Sequence, residues 1–261
     1  MENIKKVIQI KDLRMNYADK EVLKGINIDI DKGNIIGYIG ANGAGKSTTI
    51  KILLGLVKGY QGSVSILGKD IEDEKNNYKE RIGYVPEIAK VYESLTAKEY
   101  LTFVGQIYGL SYDKADKKAF KLMDILGISE AYESRLSSFS KGMKQKVVII
   151  SSMLHNPDIL FLDEPLSGLD ANSVMLIKEI LHKLKEDGKT IFYSSHIMEV
   201  VEKLSDRIIL LNKGIVVADG NFEEIKKTSF EGSLEEIFNE LTGFDEYSKL
   251  SQEFVNVLKE V

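Results

Sequence analysis

The nine residues "GANGAGKST", 40–48, constrain the fold more than any other stretch of the chain. They match G-x-x-x-x-G-K-[ST] and lie between an evenly apolar run, "IIGYI" at 35–39, and a helical run reaching Leu56. The pattern has a mechanism only as the turn between a buried strand and a helix. Its glycines let successive backbone N–H groups face one concavity, and the helix adds its positive end. The chemistry expected there is phosphate binding. Gly40, Ala41, Asn42, Gly43, Ala44, Gly45 and Thr48 belong to the cradle. Lys46 reaches the β- and γ-phosphates, and the Ser47 hydroxyl ligates Mg²⁺. The bland alternative is a glycine-rich turn that matches by chance.

A second apolar run, "ILFLDE" at 159–164, delivers Asp163 and Glu164 to the carboxyl end of a strand, where α/β sheets bind ligands. Asp163 suits Mg²⁺ held through water, and Glu164 suits a base that takes a proton from the attacking water. A lone Asp-Glu pair would equally be a solvated strand end. A third run, Ile82 to Val85, is stopped by Pro86 and followed by Glu87. Glu87 reads either as a Mg²⁺ ligand or as a solvated loop residue.

The rest of the chain alternates strands and helices. Ile26, Ile28 and Ile30 point one way and Asn27 and Asp29 the other, as in a half-buried strand. "DKGN" at 31–34 is a turn. A mainly helical stretch, about 88–156, interrupts the α/β pattern. In it Thr96 and Glu99 form a capping box, and a second helix carries Phe120, Met123 and Leu126 on one side. Residues 172–187 read as a helix ended by Gly188, and "TIFYSS" as a strand. "RIILL" and "IVVADG" flank "NKG" as a hairpin. The tail has a capping box at Ser233 and Glu236, then an amphipathic segment with Leu250, Phe254, Val257, Leu258 and Val261.

Composition narrows the function classes. Acidic residues number 40 and basic ones 35, which gives no general electrostatic attraction to nucleic acid. The absence of cysteine excludes disulfides, thiolate catalysis and cysteine-held metals. Glu2 stands where N-myristoylation requires glycine. "VVIISSML" at 147–154 falls far short of the roughly 20 residues that cross a bilayer, so the chain is not expected to span a membrane itself.

The stretch "SFSKGMKQK", 138–146, separates this chain from other phosphate-loop proteins. It resembles the signature motif of ATP-binding-cassette (ABC) proteins, whose consensus runs Leu-Ser-Gly-Gly-Gln. Ser140 and Gly142 match, while Phe139 stands for Leu and Lys141 for the first Gly. "SGLD" at 167–170 is similar to the D-loop, His196 in "SSHIMEV" to the switch histidine, and Tyr17 to the aromatic that stacks on adenine. The resemblance spans about residues 5–220 in the family's order.

It implies an α/β fold: a P-loop NTPase core with an antiparallel β portion, an inserted helical subdomain and a short C-terminal helical extension. Residues 1–220 would be the cassette and 221–261 the extension. It also implies an ATPase using ATP and Mg²⁺, with Glu164, His196 and Lys46 in catalysis and Ser47, Glu87 and Asp163 at the metal. Family members usually carry Gln where Glu87 stands. Ser140 and Gly142 would touch the ATP of a second cassette and Asp170, also counted among the nucleotide-site residues, would lie across the interface, so two chains, identical or different, would close head to tail on two ATP molecules. Local alternatives stay open: His196 as a capping or core histidine, Tyr17 as a strand aromatic, Asp170 as a helix cap. His155 and His182 lack any motif context and read as structural.

The tail "SLEEIFNELTG" resembles single-cassette ATPases of bacterial export systems. Such a chain would sit at the cytoplasmic face of the membrane, held by a separate transmembrane permease, with no nucleic acid partner. The alternatives are a non-transport cassette ATPase acting on ribosomes or nucleic acid, and a small-molecule kinase.

Overall fold

The computed structural model of the chain describes residues 5–18, 20–73, 77–229, 232–243 and 247–259. Glu2 and Val261 lie outside them. Two long strands open the chain, β1 (Lys6–Tyr17) and β2 (Lys20–Asp31), paired antiparallel. β4 (Gln61–Ile66) and β5 (Lys69–Asp70) complete a four-stranded sheet in the order β2-β1-β4-β5. Ile26, Ile28 and Ile30 are buried, as the alternation predicts.

The central sheet has six strands. β3 (Ile35–Gly40), β6 (Ile82–Val85), β7 (Ile159–Asp163), β8 (Thr190–Ser194) and β9 (Arg207–Asn212) are parallel. β10 (Ile215–Gly220) adds antiparallel at one edge, giving the order β10-β9-β3-β8-β7-β6. The hairpin between β9 and β10 turns on Lys213 and Gly214 at φ 47° and 85°, the positive pair that a two-residue type I′ turn needs.

Alternation along the central strands sends side chains into two cores. Ile36, Tyr38, Ile159, Phe161, Phe192, Ile209 and Leu211 face the four-stranded sheet and the first helix, α1 (Lys46–Leu53). Ile35, Ile39, Leu160, Leu162, Ile191, Tyr193, Ile208 and Leu210 face the other helices. These strands are apolar on both faces because both faces are covered.

Three helices lie between β6 and β7: α2 (Ala97–Ile107), α3 (Tyr112–Ile125) and α4 (Lys141–Met153). The capping box of Thr96 and Glu99 is present at α2. The expected side of α3 needs correction. Met123 and Leu126 are buried, but Phe120 is half exposed and meets Tyr132 edge-on at 5.4 Å. Ala115 and Ala119 take the inner positions instead, because α2 comes so close that a Cβ at Gly105 would fall 2.7 Å from the Ala115 methyl.

The helix after the phosphate loop also differs from expectation. It ends at Leu53, short of Leu56. Gly55 adopts φ 65°, and the N–H groups of Gly55 and Leu56 bond back to the carbonyls of Ile52 and Lys51, a Schellman ending. β4 and β5 lie within residues 57–81, where the sequence carries no clear strand pattern.

α5 (Ala171–Glu186) matches its expectation to within one residue, and α6 (Met198–Leu204) follows β8. The chain continues with α7 (Phe222–Ser229), α8 (Leu234–Thr242) and α9 (Tyr247–Lys259). α8 carries the expected box of Ser233 and Glu236 and buries Leu234 and Ile237 in the core on the helical side of the central sheet. On α9 the expected apolar residues Leu250, Phe254, Val257 and Leu258 are all exposed. Among the described residues no helix is long and apolar enough to cross a membrane.

Candidate nucleotide site

The carboxyl ends of β3, β6, β7 and β8 lie along one edge of the central sheet. They bring together most of the residues singled out in the sequence. A cleft of about 400 Å³ is lined by Tyr17, Ala41 to Thr48, Glu87, Asp163, Glu164 and His196. Lys20, Val22 and Ser194 complete it. Neither Lys20 nor Val22 belongs to a motif; they enter because β2 runs back beside Tyr17.

β3 reaches the loop through Gly40, where any Cβ would lie 2.3 Å from the Leu211 carbonyl oxygen. Gly45 caps α1 with φ 111°, a conformation that L side chains rarely adopt. This turn brings Lys46 back over the loop. Its ammonium donates to the Gly40 carbonyl at 2.5 Å and the Ala41 carbonyl at 3.3 Å. Burial pulls the Lys46 pKa down, and the charges of Asp163, Glu164 and Glu87 oppose that fall.

Asp163 ends β7 in register with Ser194 and is 8% exposed. Burial pushes its carboxyl above the ordinary range; Glu87 adds to this and Lys46 opposes it. The next residue, Glu164, has φ 49°, a left-handed conformation unusual for Glu. Its N–H donates to the Ser194 carbonyl at 2.9 Å. Its Oε2 accepts from the Ser195 hydroxyl at 3.2 Å, and its Oε1 is buried without a hydrogen-bond partner. His196 Nε2 lies 3.6 Å from Oε1, too far for a hydrogen bond. Burial raises the Glu164 pKa, while His196 and the Ser195 hydroxyl counter the rise. Tyr17 is 45% exposed at the cleft rim, leaving its ring free for a planar ligand.

Ser140, Gly142 and Asp170 do not line this cleft. Ser140 caps α4, accepting from the Met143 N–H at 3.2 Å. A Cβ at Gly142 would lie 2.8 Å from the Gly168 carbonyl oxygen, so α4 starts in close contact with the loop after β7. Gln145 donates to the Pro165 carbonyl at 2.9 Å, and Lys141 to the Ser167 hydroxyl at 3.4 Å. Asp170 does cap α5, accepting from the Ser173 N–H at 2.9 Å. The Ser173 bonds are the main reason its pKa falls to about 2.

His155 and His182 also stand apart from the cleft. His155 stacks on Tyr108 at 3.7 Å and lies 2.9 Å from the Ile82 carbonyl oxygen, while His182 is half-buried on α5. Ser195, inside the run expected as a strand, lies one residue past the end of β8 and carries no motif. The one available signal was that it immediately precedes His196 at the end of a buried run.

The family model described as "ABC transporter" matches residues 23–167, more than half of the chain. The linearmycin resistance ATP-binding protein LnrL of Bacillus subtilis (strain 168) is 38% identical over 214 residues, 82% of this chain and 69% of that protein. The ABC transporter ATP-binding protein NatA of Bacillus subtilis (strain 168) is 34% identical over 237 residues, 89% of this chain and 96% of that protein. A solved structure of an ATP-binding subunit of an ABC transporter superposes with a TM-score of 0.84 at 34% identity, covering 90% of this chain and 99% of that one. The chain belongs to the ABC transporter family, whose ATP-binding proteins are the ATPases that power transport.

Proposed function

We propose that this ATPase drives an export system through a separate transmembrane permease, closing head to tail with a second cassette when ATP binds. The carrying observation is the division of the site. Lys46, Ser47, Asp163, Glu164 and His196 share one cleft, whereas Ser140, Gly142 and Asp170 lie outside it. Ser140 is exposed at the start of α4, with a helix N-terminus behind it. A second copy, or a similar cassette, would place that end against the γ-phosphate. Such closure is symmetric, each chain lending half of both sites. The outward direction takes its support from the resistance role printed in the name of LnrL and from the "SLEEIFNELTG" tail.

Within the cleft, Lys46 and the loop N–H groups would hold the phosphates, and Tyr17 would stack on adenine. Glu164 would take the proton of the attacking water, with His196 beside it orienting the γ-phosphate. The residues present also fit Mg²⁺. Asp163 is a buried carboxylate near an exposed Ser47, and Glu87 adds a further negative charge close by. This ion needs only one or two carboxylates besides substrate phosphates. When bound, it would neutralise charge on the β- and γ-phosphate oxygens. On this reading residues 1–220 form the cassette and 221–261 an extension, and the permease holds the chain at the cytoplasmic face.

The assignment is tested by pulling the tagged chain from detergent-solubilised membranes of its own cells. A multi-span hydrophobic protein should copurify in stoichiometric amount. Copurification with ribosomes or nucleic acid instead would overturn the transport reading.

Glu87 gives a second test. As a metal ligand, Glu87→Gln should keep turnover within about tenfold, a barrier change of about 1.4 kcal/mol or less, and should need more Mg²⁺ for half-maximal activity. Glu87→Ala should raise the requirement further. Superimposable Mg²⁺ titrations for the three proteins would remove Glu87 from the metal site.

A further inference from the structure

Ser195 follows the last residue of β8 and is 2% exposed. Its hydroxyl accepts from the Ile197 N–H at 3.2 Å and lies 3.2 Å from Glu164 Oε2. A serine hydroxyl has a single proton. An ionised carboxylate can only accept, so the proton goes to Glu164, and the Ile197 N–H fixes the hydroxyl's direction. The two carboxylate oxygens therefore become different. Oε2 is held, while Oε1 is buried, faces His196 and has no hydrogen-bond partner. Without such a tether the end of a Glu side chain rotates in a broad torsional well.

We propose that Ser195 is a positioning residue for ATP hydrolysis, tethering Oε2 of Glu164 so that the carboxylate keeps one orientation at the edge of the cleft. The inference rests on Glu164 acting as general base. In the step it serves, the water oxygen bonds the γ-phosphorus as the bond to the bridging oxygen breaks. The water proton passes to the Glu164 carboxylate, the electron pair of the broken bond stays on the bridging oxygen, and ADP leaves. Ser195 gives up no proton; its part is geometric. A purely local role, closing a turn ahead of α6 through the Ile197 N–H, would leave the Glu164 bond without consequence.

Ser195→Ala should lower kcat by about 10–100-fold, the scale of a misplaced catalytic group. The KM for ATP, the binding of a fluorescent ATP analogue and the melting temperature should stay at wild-type values. Ser195→Thr, which keeps the hydroxyl, should recover most of the turnover. In a Glu164→Gln background, Ser195→Ala should have no further effect on the residual hydrolysis, followed by release of labelled phosphate over hours. Wild-type turnover by Ser195→Ala beside an inactive Glu164→Gln would remove Ser195 and leave the base in place. An equal fall in both backgrounds would show that Ser195 does not act through Glu164, and would likewise overturn the proposal. Wild-type turnover by Glu164→Gln would instead remove the base itself.

Discussion

Glu164→Gln is expected to bind ATP as the wild type does and to hydrolyse it ~10²–10⁴-fold more slowly, the usual contribution of a positioned general base. The amide keeps the size of the side chain, and its carbonyl can still accept from Ser195. It cannot take a proton. Burial already raises the pKa of Glu164, which makes the carboxylate a stronger base than one in water. With hydrolysis blocked and ATP still bound, the closed pair should accumulate. Gel filtration in ATP should show a dimer for the variant and a shorter-lived one for the wild type. A monomer that turns over ATP at the normal rate would sink the assignment.

The other large effect concerns the residues outside the cleft. Lys46→Ala, within the cleft, would remove the cation proposed to hold the phosphates, and Ser140→Arg would crowd the exposed start of α4. Each chain alone should lose about 10²-fold or more in turnover, the scale of a lost electrostatic contact to a transition state. Mixed together, some pairs would have one intact site, and part of the activity should return. Crosslinking decides the matter directly, since the natural chain has no cysteine. Asn42→Cys and Lys141→Cys alter exposed positions, one on the phosphate loop and one at the start of α4. Separate chains carrying one each should join only when ATP is present. A disulfide that forms only within the doubly substituted chain, never between chains, would refute head-to-tail closure.

The parts of the site legible in the sequence are those whose chemistry is local. The phosphate loop needs a strand, a glycine turn and a helix in immediate succession, and all three are visible within 35–56. Asp163 and Glu164 follow a run too apolar to be anything but buried. Other features depend on distant neighbours. Phe120 was misplaced because α2 approaches α3 at Gly105, which no periodicity within α3 reveals. Lys20 and Val22 line the cleft because of strand pairing between β1 and β2. Ser195 gained its meaning from the parallel pairing of β7 and β8, which sets Asp163 beside Ser194 and so brings the following residues together. The early end of α1 was local and readable: Gly55 was the stop signal, and the apolar run through Leu56 masked it.

The backbone at Glu164, with φ 49°, has a cost of its own. A left-handed conformation of a residue other than glycine costs on the order of 1–3 kcal/mol, and such sites cluster where function overrides comfort. Gly or Asn would suit that backbone better, and neither can serve as a base. Either replacement would relieve the backbone strain and remove the group proposed as the base. The strained backbone thus gives the fold no reason of its own for Glu at this position, and the reason is sought in the chemistry proposed for its carboxylate.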